Sequence, residues 1–263
     1  MTVPVFRATG KTASLALALA LSMPGVAAAA DSEITPIGAR TSLYVFGAAL
    51  PFLFPVDGER LNFAWSDLRS YGDTGIGTLT ERAGEVIGID GAYWMADSTD
   101  PVPRPVTDEV TPNAMVASFF PSDRFEIENL VDLNAFQTTL DDVFPDADAF
   151  LYLFRARGTL NYVEYQLAGA APSRQVIAGI ETGDSQQAVT IGTERMEATD
   201  VPMTLIGVRA PAYLDGVMET PYHIHFLADD RSILGHITAL EADALSVEWT
   251  KVNAVNLHFW DVR

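Results

Sequence analysis

Residues 221–237 read PYHIHFLADDRSILGHI, and they hold three of the four histidines of a 263-residue chain. Within YHIHFLAD, apolar and polar positions alternate with the period of two that marks a β-strand. In a strand, His223 and His225 point to the same side, about 7 Å apart along the chain. ADDRSILG then offers a turn, and Gly235-His236 opens a returning strand. A hairpin of this kind brings His236 back beside the first two histidines. Three neutral imidazoles with an open fourth position describe a catalytic rather than a structural zinc site, because structural sites close all four positions with protein ligands. The plain alternative is three unrelated histidines of core or surface. His258, in NLHFW, reads as a core or surface residue rather than a ligand.

The same period of two recurs outward from the hairpin. GEVIGIDGAYWMA, AFLYLFRARGTLNYVEYQL, MTLIGVRAPAY, GHITALEA and LSVEWTKVNAVNLHFW are rich in β-branched and aromatic residues and read as strands. Two helices are expected. One covers Ser42 to Phe54. The other covers residues 132–144, where Phe136, Leu140 and Phe144 recur every four residues and Asp132 stands at the capping position. The result is a mixed α+β chain with more strand than helix. Pro- and acid-rich stretches at 97–112, 141–149 and 183–187 read as loops, and the one at 141–149 marks a soft boundary. The expected division is residues 1–30, 31–145 and 146–263: a leader, an N-terminal mixed-sheet subdomain and a C-terminal metal-binding sheet subdomain.

Residues 1–30 have the layout of a secretory signal peptide: Arg7 and Lys11, an apolar run from Ala13 to Leu21, then PGVAAAA with Ala28 and Ala30 set for cleavage before Asp31. The apolar run is well short of the ~20 residues of a membrane-spanning helix. The expectation is export to the periplasm or the medium, with cleavage near Ala30. YVFGAALPFLFPV (44–56) is apolar too, but short and broken by Pro51 and Pro55, and reads as buried core. Loss of the two basic leader residues takes the formal charge from −19 to −21. So acidic a surface repels nucleic acid and anionic lipid. The chain has no cysteine, which excludes thiol catalysis and cysteine-ligated metals. It contains no G-x-S-x-G and no Walker loop, and GDTGIG lacks the spacing of a dinucleotide-binding turn.

Two long segments resemble one known family. APAYLDGVMETPYHIHFLADDRSILGH (210–236) is similar to the metal-binding segment of the acetolactate decarboxylases, which carries P-x-Y-x-x-G, then G-Y-H-L-H-F, then a third histidine eleven residues after the second. Pro221 stands where the family has the glycine. GDTGIGTLTERAGEVIGIDGAYW (72–94) resembles the family's G-D-F-G-I-G-T-F…D-G-E-L-I…D-G segment. The resemblance runs in order from about Thr41 to the end. It implies a two-domain α/β protein built on two mixed sheets with the metal between them, commonly dimeric. It also implies conversion of 2-acetolactate to acetoin and carbon dioxide with one zinc ion on His223, His225 and His236. Glu85 matches the glutamate beside the metal and Thr78 the pocket threonine. The chemistry is compatible: losing carbon dioxide from a β-keto acid leaves electrons on the former carbonyl, which a Lewis acid stabilises, and a carboxyl such as Glu85 can return the proton.

Two departures accompany the resemblance. The family's active-site arginine, in T-R-T-V, aligns with Gln166, a neutral amide. Arg155, Arg157 and Arg174 are the candidates to replace its charge, Arg155 and Arg157 sharing one strand face. The family's C-terminal tail, whose glutamate returns to the active site, is expected to be missing after Arg263. Three readings follow: an exported zinc-dependent decarboxylase of 2-acetolactate or a close 2-hydroxy-3-keto acid; a divergent relative acting on another hydroxy-keto acid; and a non-enzymatic metal- or ligand-binding protein. In every case the expected partner is a small molecule, not nucleic acid or a membrane.

Overall fold

Alternation buries only one side of a strand, so each sheet face needs a second layer to cover it. The structure, a computed structural model, describes residues 41–47, 63–79, 84–168 and 193–259. In chain order these form β1 (Thr41–Phe46), β2 (Phe63–Ala64), α1 (Trp65–Leu68), β3 (Thr74–Thr78), β4 (Glu85–Ile89), β5 (Ala92–Ala96), β6 (Arg104–Pro105), β7 (Val110–Thr111), β8 (Ala114–Ala117), β9 (Asp123–Leu130), α2 (Leu133–Val143), β10 (Tyr152–Ala168), β11 (Thr193–Arg209), β12 (Tyr222–Ala228) and β13 (Leu234–His258). The expected leader, residues 1–30, lies outside the described residues, as does Arg174. Among the described residues no helix is long and apolar enough to cross a membrane.

Strand order runs β10-β11-β12-β13-β1-β8-β3-β4-β5-β6, with β9 also on β13. A further pairing of β10 with β13 closes β10, β11, β12 and β13 into a ring. β13 belongs to both halves of this network. Its Leu234–Lys251 stretch pairs antiparallel with β12, β10 and β9, and Val252–His258 runs parallel to β1. β2 and β7 form a separate ribbon. The mixed-sheet, few-helix class read from the sequence is the one observed.

The strand segments read from the sequence are found with adjusted bounds: GEVIGIDGAYWMA divides into β4 and β5, MTLIGVRAPAY is extended only as far as Arg209, and GHITALEA and LSVEWTKVNAVNLHFW are joined in the single strand β13. α2 forms where the four-residue repeat places it. The Asp132 carboxylate accepts from the Ala135 N–H at 2.6 Å, and Phe136 and Leu140 are buried. The other expected helix, Ser42–Phe54, is corrected over its described part. Residues 41–46 are β1, in which Leu43 and Val45 are buried while Ser42 and Tyr44 are only half so. That is a period of two, and it is enforced from both sides by pairing with β13 and β8. Residues 48–54 lie outside the described residues.

β12 shows how the alternation builds the site. Tyr222, Ile224, Phe226 and Ala228 face one core, shared with Phe136 and Leu140 of α2, while Leu227 packs into a second core with Ile76 and Ile87. His223 and His225 occupy the same side of β12 as Leu227. Ile127 and Leu130 of β9 also join the α2 core. The division near residues 145 and 146 stays a proposal.

Candidate metal centre

His225 lies directly opposite His236 in the β12–β13 pairing, and His223 is two residues along on the same side. The turn between the strands is tight, with Arg231 at φ 61°. The hairpin therefore gathers the three imidazoles as their spacing predicts, and one ligating atom of each lies within 4.8 Å of the others. His258 is elsewhere. It stacks on Phe46 at a ring separation of 4.6 Å, beside Tyr44 and Tyr71.

Backbone closeness at the returning strand depends on Gly235. A Cβ there would lie 2.5 Å from the Tyr165 ring and 2.8 Å from the Gln166 carbonyl oxygen, so β10 can approach His236 only because the side chain is absent. Gln166 stands opposite His236 in the β10–β13 register, and opposite residues on antiparallel strands share a face. The position aligned with the family arginine is thus on the histidine side of β10.

β4 contributes from another direction. His225 is fully buried, and its Nδ1–H donates to the Val86 carbonyl at 2.9 Å. That bond assigns the tautomer: with the proton on Nδ1, Nε2 carries a free lone pair. It faces His223 Nε2 at 2.9 Å. Burial, followed by the charge of its neighbour His236, holds His223 well below the usual imidazole range, and burial followed by His223 and His236 does the same to His225. Both are therefore kept neutral, the form that ligates a metal. The carboxylate of Glu85, the residue before Val86, has Oε2 3.4 Å from His225 Nε2 and is largely buried. In the metal-free chain a proton on His223 Nε2 is donated to the His225 Nε2 lone pair. Three imidazoles whose ring nitrogens lie within 4.8 Å of one another, with a carboxylate beside them, are a well-matched set around a divalent cation. The donor set fits zinc.

Thr78 is opposite Glu85 across β3–β4, and its hydroxyl donates to the Gly84 carbonyl at 2.8 Å. Arg155 is committed elsewhere: its guanidinium meets Glu248 at 2.7 Å and Asp90 at 2.8 Å. Arg157 lies against the same two carboxylates at 3.6 and 3.4 Å. One residue of the cluster escaped the sequence reading. Glu219 has its carboxylate 3.7 Å from His223 and 3.8 Å from His236. Its four-residue spacing from His223 was the only signal, and that spacing brings side chains together on a helix, whereas here the chain enters a strand.

Residues 60–262 match the alpha-acetolactate decarboxylase family. The chain belongs to that family. The alpha-acetolactate decarboxylase of Methanosarcina mazei is 34% identical over 179 residues, covering 68% of this chain and 59% of that protein. The chain thus spans less than two thirds of that relative. The Bacillus licheniformis enzyme of the same name is 26% identical over 196 residues, 74% of each chain. Among solved structures, the alpha-acetolactate decarboxylase of Bacillus subtilis strain 168 superposes with a TM-score of 0.71 at 23% identity, covering 84% of this chain and 90% of that one. At that identity the likeness speaks for the fold, and it agrees with the mixed-sheet architecture described above.

Proposed function

We propose that the protein is an exported, zinc-dependent decarboxylase that converts 2-acetolactate, or a close 2-hydroxy-3-keto acid, to acetoin and carbon dioxide. The observation that carries the reading is the convergence of His223, His225 and His236 beside Glu85, in a member of a family whose curated relatives bear that name. The three histidines would hold the ion. When bound, it supplies Lewis-acid stabilisation of the negative charge that decarboxylation leaves on the substrate's former keto oxygen.

The chain's own residues do the rest. The bond from His225 to Val86 fixes the imidazole's orientation and keeps its Nε2 unprotonated. Glu85, held in a largely buried position next to His225, is the group to carry a proton and return it to the carbon that has lost the carboxylate. Thr78, across from Glu85, braces the β4 entry through Gly84 and lines the same side. Gln166, across from His236, offers the substrate carboxylate an amide hydrogen bond where an arginine would offer a charge. Leader removal near Ala30 delivers the protein to the periplasm or medium, and a homodimer is the proposed assembly.

The test is to load the purified protein, begun at Asp31, with zinc, add racemic 2-acetolactate and follow acetoin and carbon dioxide. Turnover that disappears with a chelator supports the reading. Bound metal with no turnover favours the alternative, a divergent relative acting on another hydroxy-keto acid or a non-enzymatic metal- or ligand-binding protein. Gln166 and the commitment of Arg155 and Arg157 to Glu248 and Asp90 are the observations on its side. Mass spectrometry of cell fractions checks export, which fails if intact Met1 is found in the cytoplasm.

A further inference from the structure

Glu219 straddles the histidine cluster, Oε2 toward His223 Nε2 at 3.7 Å and Oε1 toward His236 Nε2 at 3.8 Å. Both separations are too long for hydrogen bonds. They are close to the spacing of donors that share an ion: two atoms each ~2.1 Å from one zinc at a tetrahedral angle stand ~3.4 Å apart. Glu219 is also held in place. Met218 before it is 1% exposed, with its N–H on the Leu214 carbonyl at 3.1 Å. Two residues on, the Pro221 carbonyl accepts from Ala210 N–H at 2.8 Å. His225 closes the cluster from the buried side, against Val86. The Glu219 side chain is 48% exposed and approaches from solvent.

We propose that Glu219 is a fourth protein donor to the ion held by His223, His225 and His236, closing the solvent side of the site until a ligand displaces it. The inference rests on the metal reading given under the proposed function. A half-exposed carboxylate on a connecting segment can leave the ion by side-chain rotation alone, whereas the histidines are fixed by strand pairing. The site would then be four-coordinate at rest and three-coordinate toward substrate.

The experiment measures zinc affinity by chelator competition, and the visible spectrum after cobalt(II) substitution, for the wild type, Glu219→Gln, Glu219→Asp and Glu128→Gln. Glu128 lies exposed on β9 and controls for the loss of one negative charge. Glu219→Gln is expected to weaken zinc on the order of 10- to 100-fold, the size of effect seen when groups supporting a metal site are removed. It is also expected to alter the cobalt absorption, with Glu219→Asp intermediate and Glu128→Gln unchanged. Wild-type affinity and spectrum in Glu219→Gln would overturn the inference while leaving the three-histidine site standing. Weakened affinity with an unaltered cobalt spectrum would overturn it too, since Glu219 would then act by charge at a distance. No metal in the wild type would instead defeat the metal reading itself. Chemical denaturation of each metal-free variant confirms that the fold is retained.

Discussion

Replacing Gln166 by arginine tests how the site handles a carboxylate. Gln166 is half-buried on β10, opposite His236 and, on the other side, opposite Arg195 of β11. Arg195 is mostly exposed and is paired with Glu164 at 3.3 Å. Arg155 and Arg157 are engaged by Glu248 and Asp90. An arginine at 166 would therefore bring a new positive charge to the histidine side. Its own accommodation is eased by Glu85 and Glu219, the two carboxylates already beside the histidines. A hydrogen bond to a charged group is typically worth ~1.5–3 kcal/mol. If only about 1.4 kcal/mol of this reaches the transition state, turnover rises tenfold.

The assay is acetoin release from racemic 2-acetolactate by zinc-loaded wild type, Gln166→Arg, and Gln166→Arg combined with Glu85→Gln. We predict a gain of roughly tenfold or more in kcat/KM for Gln166→Arg, lost in the Glu85→Gln background and in chelated protein. A folded, metal-loaded Gln166→Arg protein with unchanged kinetics would refute the argument, because the position would then not face the substrate carboxylate. A gain that survives chelation would refute it differently, by removing the metal site from the reaction.

Three further outcomes are expected. His223→Ala, His225→Ala and His236→Ala should each lose stoichiometric zinc by elemental analysis, while His258→Ala keeps it and loses about 0.5–1.5 kcal/mol of stability in urea titration, the value of its stacking on Phe46. Metal-free protein should lose stability as pH falls below 6.5: His223 and His225 are depressed in the fold, so the unfolded chain binds more protons there, and each group contributes a slope of up to about 1.4 kcal/mol per pH unit. Denaturation midpoints that stay level from pH 7.5 to 5.5 would contradict this. Gly235→Ala should cost about 1–3 kcal/mol, since its methyl meets the Tyr165 ring and the Gln166 carbonyl, and it should lower zinc affinity by displacing the adjacent His236; a neutral effect on both would show that β10 yields freely.

How much of this was legible depended on whether the information was local. The hairpin could be read because period-two alternation in YHIHFLAD and the polar turn after it specify pairing within a few residues, and pairing places His225 opposite His236. α2 was legible for the same reason, its cap and its four-residue repeat both lying within thirteen positions. β1 was not. TSLYVF begins an apolar stretch, and only its partners, Val252–His258 and Ala114–Ala117, decide that it is extended. Glu219 was missed because it is brought to the histidines by the path of the connection into β12. The Val86 carbonyl was missed because backbone atoms leave no trace in residue identity.

That carbonyl ties the site to the fold more strictly than any of the side chains does. β4 presents the Glu85 carboxylate and the Val86 carbonyl, from consecutive residues, to one imidazole. The arrangement holds only in the register that sets Glu85 against Thr78 on one side and Ala96 on the other. A slip of one residue would turn Glu85 to the opposite face and exchange its place with the fully buried Val86. The small residues around it guard that register. Gly75 and Gly77 of β3 have no room for a Cβ against the Met115 and Asn113 carbonyls, and Gly88 has none against the Tyr93 ring, so their places along the strands cannot be exchanged with larger neighbours. The glycine-rich GDTGIG run, which lacks the spacing to bind a nucleotide, therefore has a structural use. It packs β3 closely against β8 and so fixes the strand that carries Thr78 beside the one that carries Glu85.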